Sequence, residues 1–169
     1  VIFLTVGTEF PFDRLIRAVD EMVLESVLND DVVAQIGSGR YRPNHMAWFR
    51  SIEKALFDEH MRECSAIIGH AGAGTILQAI ELRKPLLVMP RLKKYGEHVN
   101  DHQVGTARKF ESLKYILVSY DTKELSTLVK KLHTFRPPQL EGLKTGDLAN
   151  NIKEFLDGIS AGKKWSTDP

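Results

Sequence analysis

Residues 69–90 read "GHAGAGTILQAIELRKPLLVMP", and their reading decides the fold. Gly69, Gly72 and Gly74 crowd the first six positions with His70 among them, and a helical pattern follows at once. Glycine loses more backbone entropy on folding than any other residue, so such a cluster needs a tight turn or the close approach of another group. The apolar "SAIIG" (65–69) leads in as a strand, and "PLLVMP" (85–90) leads out as another. Between them a helix is expected at about 74–84. Its first turn exposes unpaired N–H groups and the positive end of the helix dipole, which together suit a phosphate. Thr75 lies in that turn, where its hydroxyl and the amides of Gly74 and Thr75 can converge on an anion. Gln78, one turn later, shares the face and leans back toward the helix start, as suits a sugar hydroxyl beside a phosphate. The stretch is neither a P-loop, lacking Lys-Ser/Thr, nor GxGxxG. A plain strand-to-helix turn accounts for the glycines equally well.

The same alternation extends outward in both directions. "VIFLTV" (1–6) is a continuous apolar run, the mark of a strand covered on both faces, and Gly7-Thr8 stops it. From Asp13, the apolar Leu15, Ile16, Val19, Met22, Val23 and Val27 follow helical spacing. "VVAQI" (32–36) is a strand closed by the turn Gly37-Ser38-Gly39, "MAWFRSIEK" has room for a short strand, and "FDEHMREC" reads as a short helix. Beyond the opening stretch, "NDHQVGTARKFESL" is helical, with Asn100 or Asp101 as its cap. "YILVS" is a strand, and Asp121 caps a helix ending near His133. After Pro137-Pro138 a last helix is expected at about 146–161. Strands alternating with helices over residues 1–169 predict one α/β domain with a doubly wound parallel sheet, whose ligands bind at the carboxyl ends of the strands. The loops at 7–12, 37–44, 69–74 and 90–100 all lie at such ends.

Composition narrows the function. The 169 residues are 43% hydrophobic and 27% charged, as in ordinary globular proteins, and carry a net charge of +1, which offers no bulk attraction for nucleic acid. Cys64, the single cysteine, excludes an intramolecular disulfide and joins the methionines as a core residue. No apolar run approaches the roughly 20 residues that span a bilayer, and "VIFLTVG" lacks the length and basic flank of a signal peptide. A cytoplasmic chain that meets the membrane through a partner is expected. His98 and His102 stand four apart, a spacing open to a metal but without an HExxH context, so solvent-facing histidines are expected and no metal. Arg91, Lys93 and Lys94 read as a solvated basic loop, with contact to an anionic phosphate as the alternative. Taken singly, His70 is a strand-end histidine satisfied by backbone.

"HAGAGTILQAIELRKPLLVMP" resembles the nucleotide-sugar-binding stretch of GT-B glycosyltransferases, in particular the family 28 carboxyl-terminal domain. With "TVGTEFPFDRLIRAVD" and "NDHQ" added, the chain is similar, from residue 1 to about 135, to the small single-domain subunits of bacterial exopolysaccharide assembly (the PssE type). The catalytic subunit of the eukaryotic dolichol-linked GlcNAc transferase is a more distant resemblance. The resemblance implies a Rossmann-like single GT-B half that binds a UDP-sugar and takes part in inverting, metal-independent transfer, with no cofactor. By this resemblance Gly72, Gly74 and Thr75 hold the diphosphate, and His70 opens the motif as a weak catalytic candidate. Asp101, His102 and Gln103 touch the donor sugar, and Gly7 and Thr8 lie near the reacting phosphate. Gln78 stands where the family usually has a ribose-binding Glu; it keeps an acceptor oxygen and loses the charge.

A GT-B enzyme has two such halves, and this length accommodates one. No paired carboxylates offer a general base and no Asp-x-Asp motif offers a metal site. The resemblance therefore implies a membrane-anchored, acceptor-binding partner subunit and a polyprenyl-linked acceptor, met in part through Phe10-Pro11-Phe12 as an exposed apolar point. Two alternatives stay open: a non-catalytic nucleotide-binding regulatory or scaffold module, and a nucleotide-sugar epimerase, which normally needs both halves.

Overall fold

A computed structural model describes residues 1–138 of the chain; the helix expected at about 146–161 lies outside them. Six strands form one sheet in the order β3-β2-β1-β4-β5-β6: β1 Ile2–Thr5, β2 Val32–Gln35, β3 Ala47–Phe49, β4 Ala66–His70, β5 Leu86–Met89 and β6 Leu117–Val118. Every pairing is parallel, with Ile2 opposite Val32 on one side and Ala66 on the other. Five helices cross between strands: α1 Asp13–Leu24, α2 Lys54–Glu63, α3 Ala73–Glu81, α4 His102–Ser112 and α5 Thr122–Leu132. The doubly wound parallel sheet read from the sequence is the fold.

The apolar runs become central strands because both faces are covered. Ile2, Leu4 and Val6 point with Val32, Ala34, Ile68 and Met89 toward α1 and α5, where Leu15, Ile16, Val19, Leu125 and Val129 close the core. Phe3, pointing the other way, meets Phe57 edge-on and His60 face-on in α2, with ring centroids 5.5 and 5.1 Å away. Complete burial of such a side chain stabilises by about 1.5–3 kcal/mol. Asp121 caps α5, its carboxylate accepting from Lys123 N and Glu124 N.

Boundaries moved in a few places. The helical spacing that runs to Val27 stops at Leu24, because Ser26 takes a left-handed φ of 56°. The short helix read in "FDEHMREC" begins earlier, at Lys54, and α3 ends at Glu81 rather than 84. Helix α4 has Asp101 at its N-cap position without a side-chain cap bond; that carboxylate instead accepts from Lys93 N at 2.7 Å. Asn100 Oδ1 accepts from His102 N.

Strand order fixes where a ligand can sit. β1 and β4 are neighbours, and from them the chain winds outward in opposite directions, which opens a crevice at their carboxyl ends. Gly7 follows β1 there with a φ of +70°, and Gly37 follows β2 with a φ of +60°. A Cβ on Gly37 would lie 2.5 Å from the Gly7 carbonyl oxygen, so these two loops touch backbone to backbone.

Candidate functional site

The crevice is a cleft of about 340 Å³ walled by the loops after β1, β4 and β5, with Gly7, Thr8, His70, Gly72, His102 and Gln103 on its lining. His70, the last residue of β4, fits between two glycines. A Cβ on Gly72 would stand 2.2 Å from its Nε2, and one on Gly7 would stand 3.3 Å from its Cε1. Its Nδ1 faces the Thr5 carbonyl at 3.5 Å. Burial first, and the nearby Arg91 charge second, push its pKa down to about 4, so the ring is neutral at neutral pH.

The charge in the cleft belongs to Arg91. The sequence reading favoured a solvated loop, with an anionic phosphate contact as the alternative; Arg91 is 3% exposed, while Lys93 and Lys94 are exposed. Its Nη2 donates to the carbonyls of Val6 at 2.5 Å and Phe10 at 2.6 Å, and the guanidinium lies over the Phe12 ring. Its Nε is buried without a partner among the described residues. Burial lowers its pKa to about 10 against the pull of Glu97 and Glu9, which leaves it cationic at neutral pH. Arg14 adds a second tie between the loops: its Nε and Nη2 grip Glu97 at 2.7 and 2.8 Å, and Glu97 also accepts from Leu92 N. The loops after β1 and β5 are thus pinned by two arginines pointing in opposite directions.

The expected solvent-facing histidines turn inward instead. His98 packs on Phe10 and on His102, each with ring centroids 4.5 Å apart, and both histidines are half-buried. Burial lowers both pKa values, with Arg91 acting further on His98 and His98 on His102. Phe12, expected at an exposed apolar point, is fully buried beneath the two arginines, and Phe10 is half-buried; Pro11 alone of the three is exposed.

Helix α3 starts beside this cleft with Gly72 as N-cap and no side-chain cap. The first helical bond runs from Ile76 N to Gly72 O, so the amides of Ala73, Gly74 and Thr75 have no partner among the described residues. Gly74 is exposed, and a Cβ there would have no atom within 4 Å. Thr75 is half-buried at the same helix start. Gln78 is engaged elsewhere: its Nε2 donates to Asp58 Oδ1 of α2 at 2.8 Å, and Lys54 and Gln78 together lower the pKa of Asp58. Gln103 is buried and its Oε1 accepts from Arg91 N, so it sets the course of the β5 loop. Asp101, exposed and bonded to Lys93 N, is not among the residues lining the cleft.

Arg14, Glu97 and Asp58 were missed by sequence reasoning, which singled out Arg91 but not its burial. Arg91 left one signal, a cation directly after the apolar strand and Pro90; the other three are surface-type residues whose partners lie in distant segments.

A parallel sheet with glycines at its switch point, an uncapped helix start and a buried cation defines a Rossmann-like half of the GT-B type. The chain belongs to the glycosyltransferase family 28 C-terminal domain, which matches residues 1–161. It is 32% identical over 119 residues to the UDP-N-acetylglucosamine transferase subunit ALG13 of Mus musculus, covering 63% of this chain and 10% of that protein. The ALG13 subunit of Candida albicans is 30% identical over 105 residues, 60% of this chain and 34% of the relative. That of Debaryomyces hansenii is 26% identical over 136 residues, 80% and 52%. The chain thus spans between a tenth and about half the length of these relatives. Its fold matches the NMR structure of ALG13 with a TM-score of 0.62 at 18% identity, over 89% of this chain and 94% of that one. MurG from Acinetobacter baumannii matches with a TM-score of 0.55 at 16% identity, over 90% and 49%.

Proposed function

We propose that this domain is the donor-binding half of a two-subunit inverting glycosyltransferase that moves a sugar from UDP to a polyprenyl-linked acceptor. The observation that carries the reading is the set of unpartnered α3 amides, fronted by the open face of Gly74, beside the Arg91 cleft. A diphosphate is the ligand whose charge and oxygens answer both. Its oxygens accept from the amides at Gly74 and Thr75, and Arg91 supplies countercharge through space. His70, being neutral, serves as a hydrogen-bonding partner. Gly7, Thr8 and Gly72 line the approach, Gln78 offers its carbonyl oxygen to the ribose, and His102 and Gln103 meet the sugar, with Asp101 holding the β5 loop through Lys93 N. In the transfer, an acceptor hydroxyl oxygen bonds to the anomeric carbon as the bond from that carbon to the diphosphate breaks. The hydroxyl proton passes to a base on the partner subunit, and UDP leaves with the electron pair. Neither metal nor other cofactor is assigned to this step.

The relatives named as subunits of a UDP-N-acetylglucosamine transferase support a partner and make a UDP-GlcNAc donor the first to test. Exopolysaccharide assembly of the PssE type is the alternative setting for the same chemistry. Among the described residues no helix is long and apolar enough to cross a membrane; the proposal puts the anchor on the partner. The decisive experiment measures transfer from radiolabelled UDP-GlcNAc, and from a panel of other UDP-hexoses, to a polyprenyl-diphosphate acceptor. The purified chain should be inactive alone and active when co-expressed with a membrane-anchored partner, because an unpositioned acceptor forfeits roughly 7–11 kcal/mol of barrier lowering. Robust transfer by the chain alone refutes the two-subunit reading. A UDP-binding pair that transfers nothing from any donor makes the regulatory module the better account, a reading that the commitment of Gln78 to Asp58 favours.

A further inference from the structure

Four arginines that the donor site does not use gather at the loop between β2 and β3: Arg40 and Arg42 on the loop itself, Arg17 on α1 and Arg50 just after β3. Arg50 Nη1 donates to the carbonyls of Gly37 and Gly39, and Arg42 Nη1 to those of Gly39, Arg40 and Tyr41. Arg17 of α1 stacks over the Tyr41 ring at 4.4 Å, and Arg42 over Trp48 at 5.6 Å. Arg17, Arg40, Arg42 and Arg50 are all exposed. None is paired with a carboxylate among the described residues, where the ion pairs run through Arg14, His45, Lys54 and His133. Two of the acids nearby, Asp13 and Asp20, are held by the loop. Asp20 is 1% exposed and accepts from Tyr41 Oη and from the amides of Asn44 and His45. Asp13 accepts from the Arg40 amide, while Glu21 is exposed on α1 four residues after Arg17. The scaffold is therefore rigid and its charge outward.

We infer that this loop is a contact surface for an anionic lipid bilayer, so that the chain meets the membrane directly as well as through a partner. Two features favour a bilayer over nucleic acid. In a chain of net charge +1, residues 36–50 carry Arg40, Arg42 and Arg50 and no acid, and this local excess of positive charge orients the molecule against a flat anionic surface. Trp48 is 38% exposed on the edge strand, yet its N–H already donates to the Pro43 carbonyl, so what it presents is apolar ring. Such a ring beside arginines suits the headgroup level of a bilayer. Because Gly37 packs on Gly7, docking this loop brings the donor cleft to the membrane surface.

The test is sedimentation of the whole chain with vesicles of pure phosphatidylcholine and of phosphatidylcholine with 30% phosphatidylglycerol. Binding should need the anionic lipid and fall in 0.5 M salt. Each basic residue at an anionic leaflet contributes about a fivefold factor, so Arg17→Gln with Arg40→Gln should lower partitioning roughly 25-fold. Trp48→Ala should weaken it separately. UDP titration and thermal melting of the double variant should match wild type, which keeps this result apart from the donor reading. No preference for anionic vesicles, or a double variant that binds as wild type does, overturns the inference. So does tighter binding to a single-stranded RNA oligonucleotide that the same substitutions abolish.

Discussion

Replacing Gly74 with alanine should make the domain more stable and worse at holding its ligand. The residue is exposed, sits in the first turn of α3 without a left-handed φ, and has open space where a Cβ would go. Nothing in the fold demands a glycine there, although glycine in a helix costs about 0.5–1 kcal/mol against alanine. For a domain of this size each kcal/mol moves the melting temperature by about 2–4 °C, so Gly74→Ala should melt about 1–4 °C higher. The same methyl group stands where a diphosphate would approach the amides of Gly74 and Thr75. UDP affinity should fall at least tenfold, about 1.4 kcal/mol, and further in Gly74→Val. Differential scanning calorimetry and isothermal titration with UDP read the two effects on the same preparations. Unchanged UDP affinity in both variants refutes the diphosphate assignment; a lowered melting temperature in Gly74→Ala refutes the claim that the fold leaves this position free.

Three further outcomes follow from the contacts around the cleft. Arg91→Met leaves the carbonyls of Val6 and Phe10 without their donor and should cost about 2–4 kcal/mol in urea denaturation, with weakened UDP binding; a wild-type midpoint means the two loops do not depend on it. His70 titrates near 4 when folded and near 6.5 when unfolded, so below pH 6.5 the unfolded chain takes up a proton that the folded one refuses. Stability should therefore fall from pH 6.5 toward 4, and His70→Asn should flatten that part of the profile in denaturant titrations at stepped pH. Gln78→Glu sets a second carboxylate against Asp58 and should lower the melting temperature, with Asp58→Asn restoring it; equal melting of all three proteins would show that the Gln78–Asp58 bond contributes nothing.

The sheet was legible because its strands are apolar on both faces and its glycines punctuate them. "VIFLTV", "SAIIG" and "PLLVMP" need no partner identified to be read as central strands, and Asp121 announces α5 through a bond two and three residues away. The site was legible at the level of loops for the same reason. Individual side chains were not. Arg91 and Phe12 are buried against each other across nearly eighty residues of sequence, and no local pattern encodes that contact. Gln78 could be placed one turn after Thr75, but whether its amide meets a ligand or Asp58 depends on how α2 packs, which periodicity does not specify. Asp101 shows the limit of capping rules: it holds the N-cap position, yet the β5 loop brings Lys93 N closer than the helix amides.

The register that places Ile2 beside both Val32 and Ala66 has a consequence for how the chain is made. The earliest of the six described strands is a central one, so neither of its edges can be hydrogen-bonded by its sheet neighbours until residues far downstream have appeared. At about 5–20 residues per second, the span from β1 to the end of β4 keeps that apolar strand waiting for roughly 3–13 seconds. Non-local parallel pairing is also slow once the partners exist. Nascent-chain protection, rather than final stability, is thus the stage at which substitutions in "VIFLTV" should first reduce the yield of folded protein. Pulse proteolysis of ribosome-stalled chains ending before and after residue 70 would show the strand passing from accessible to sheltered.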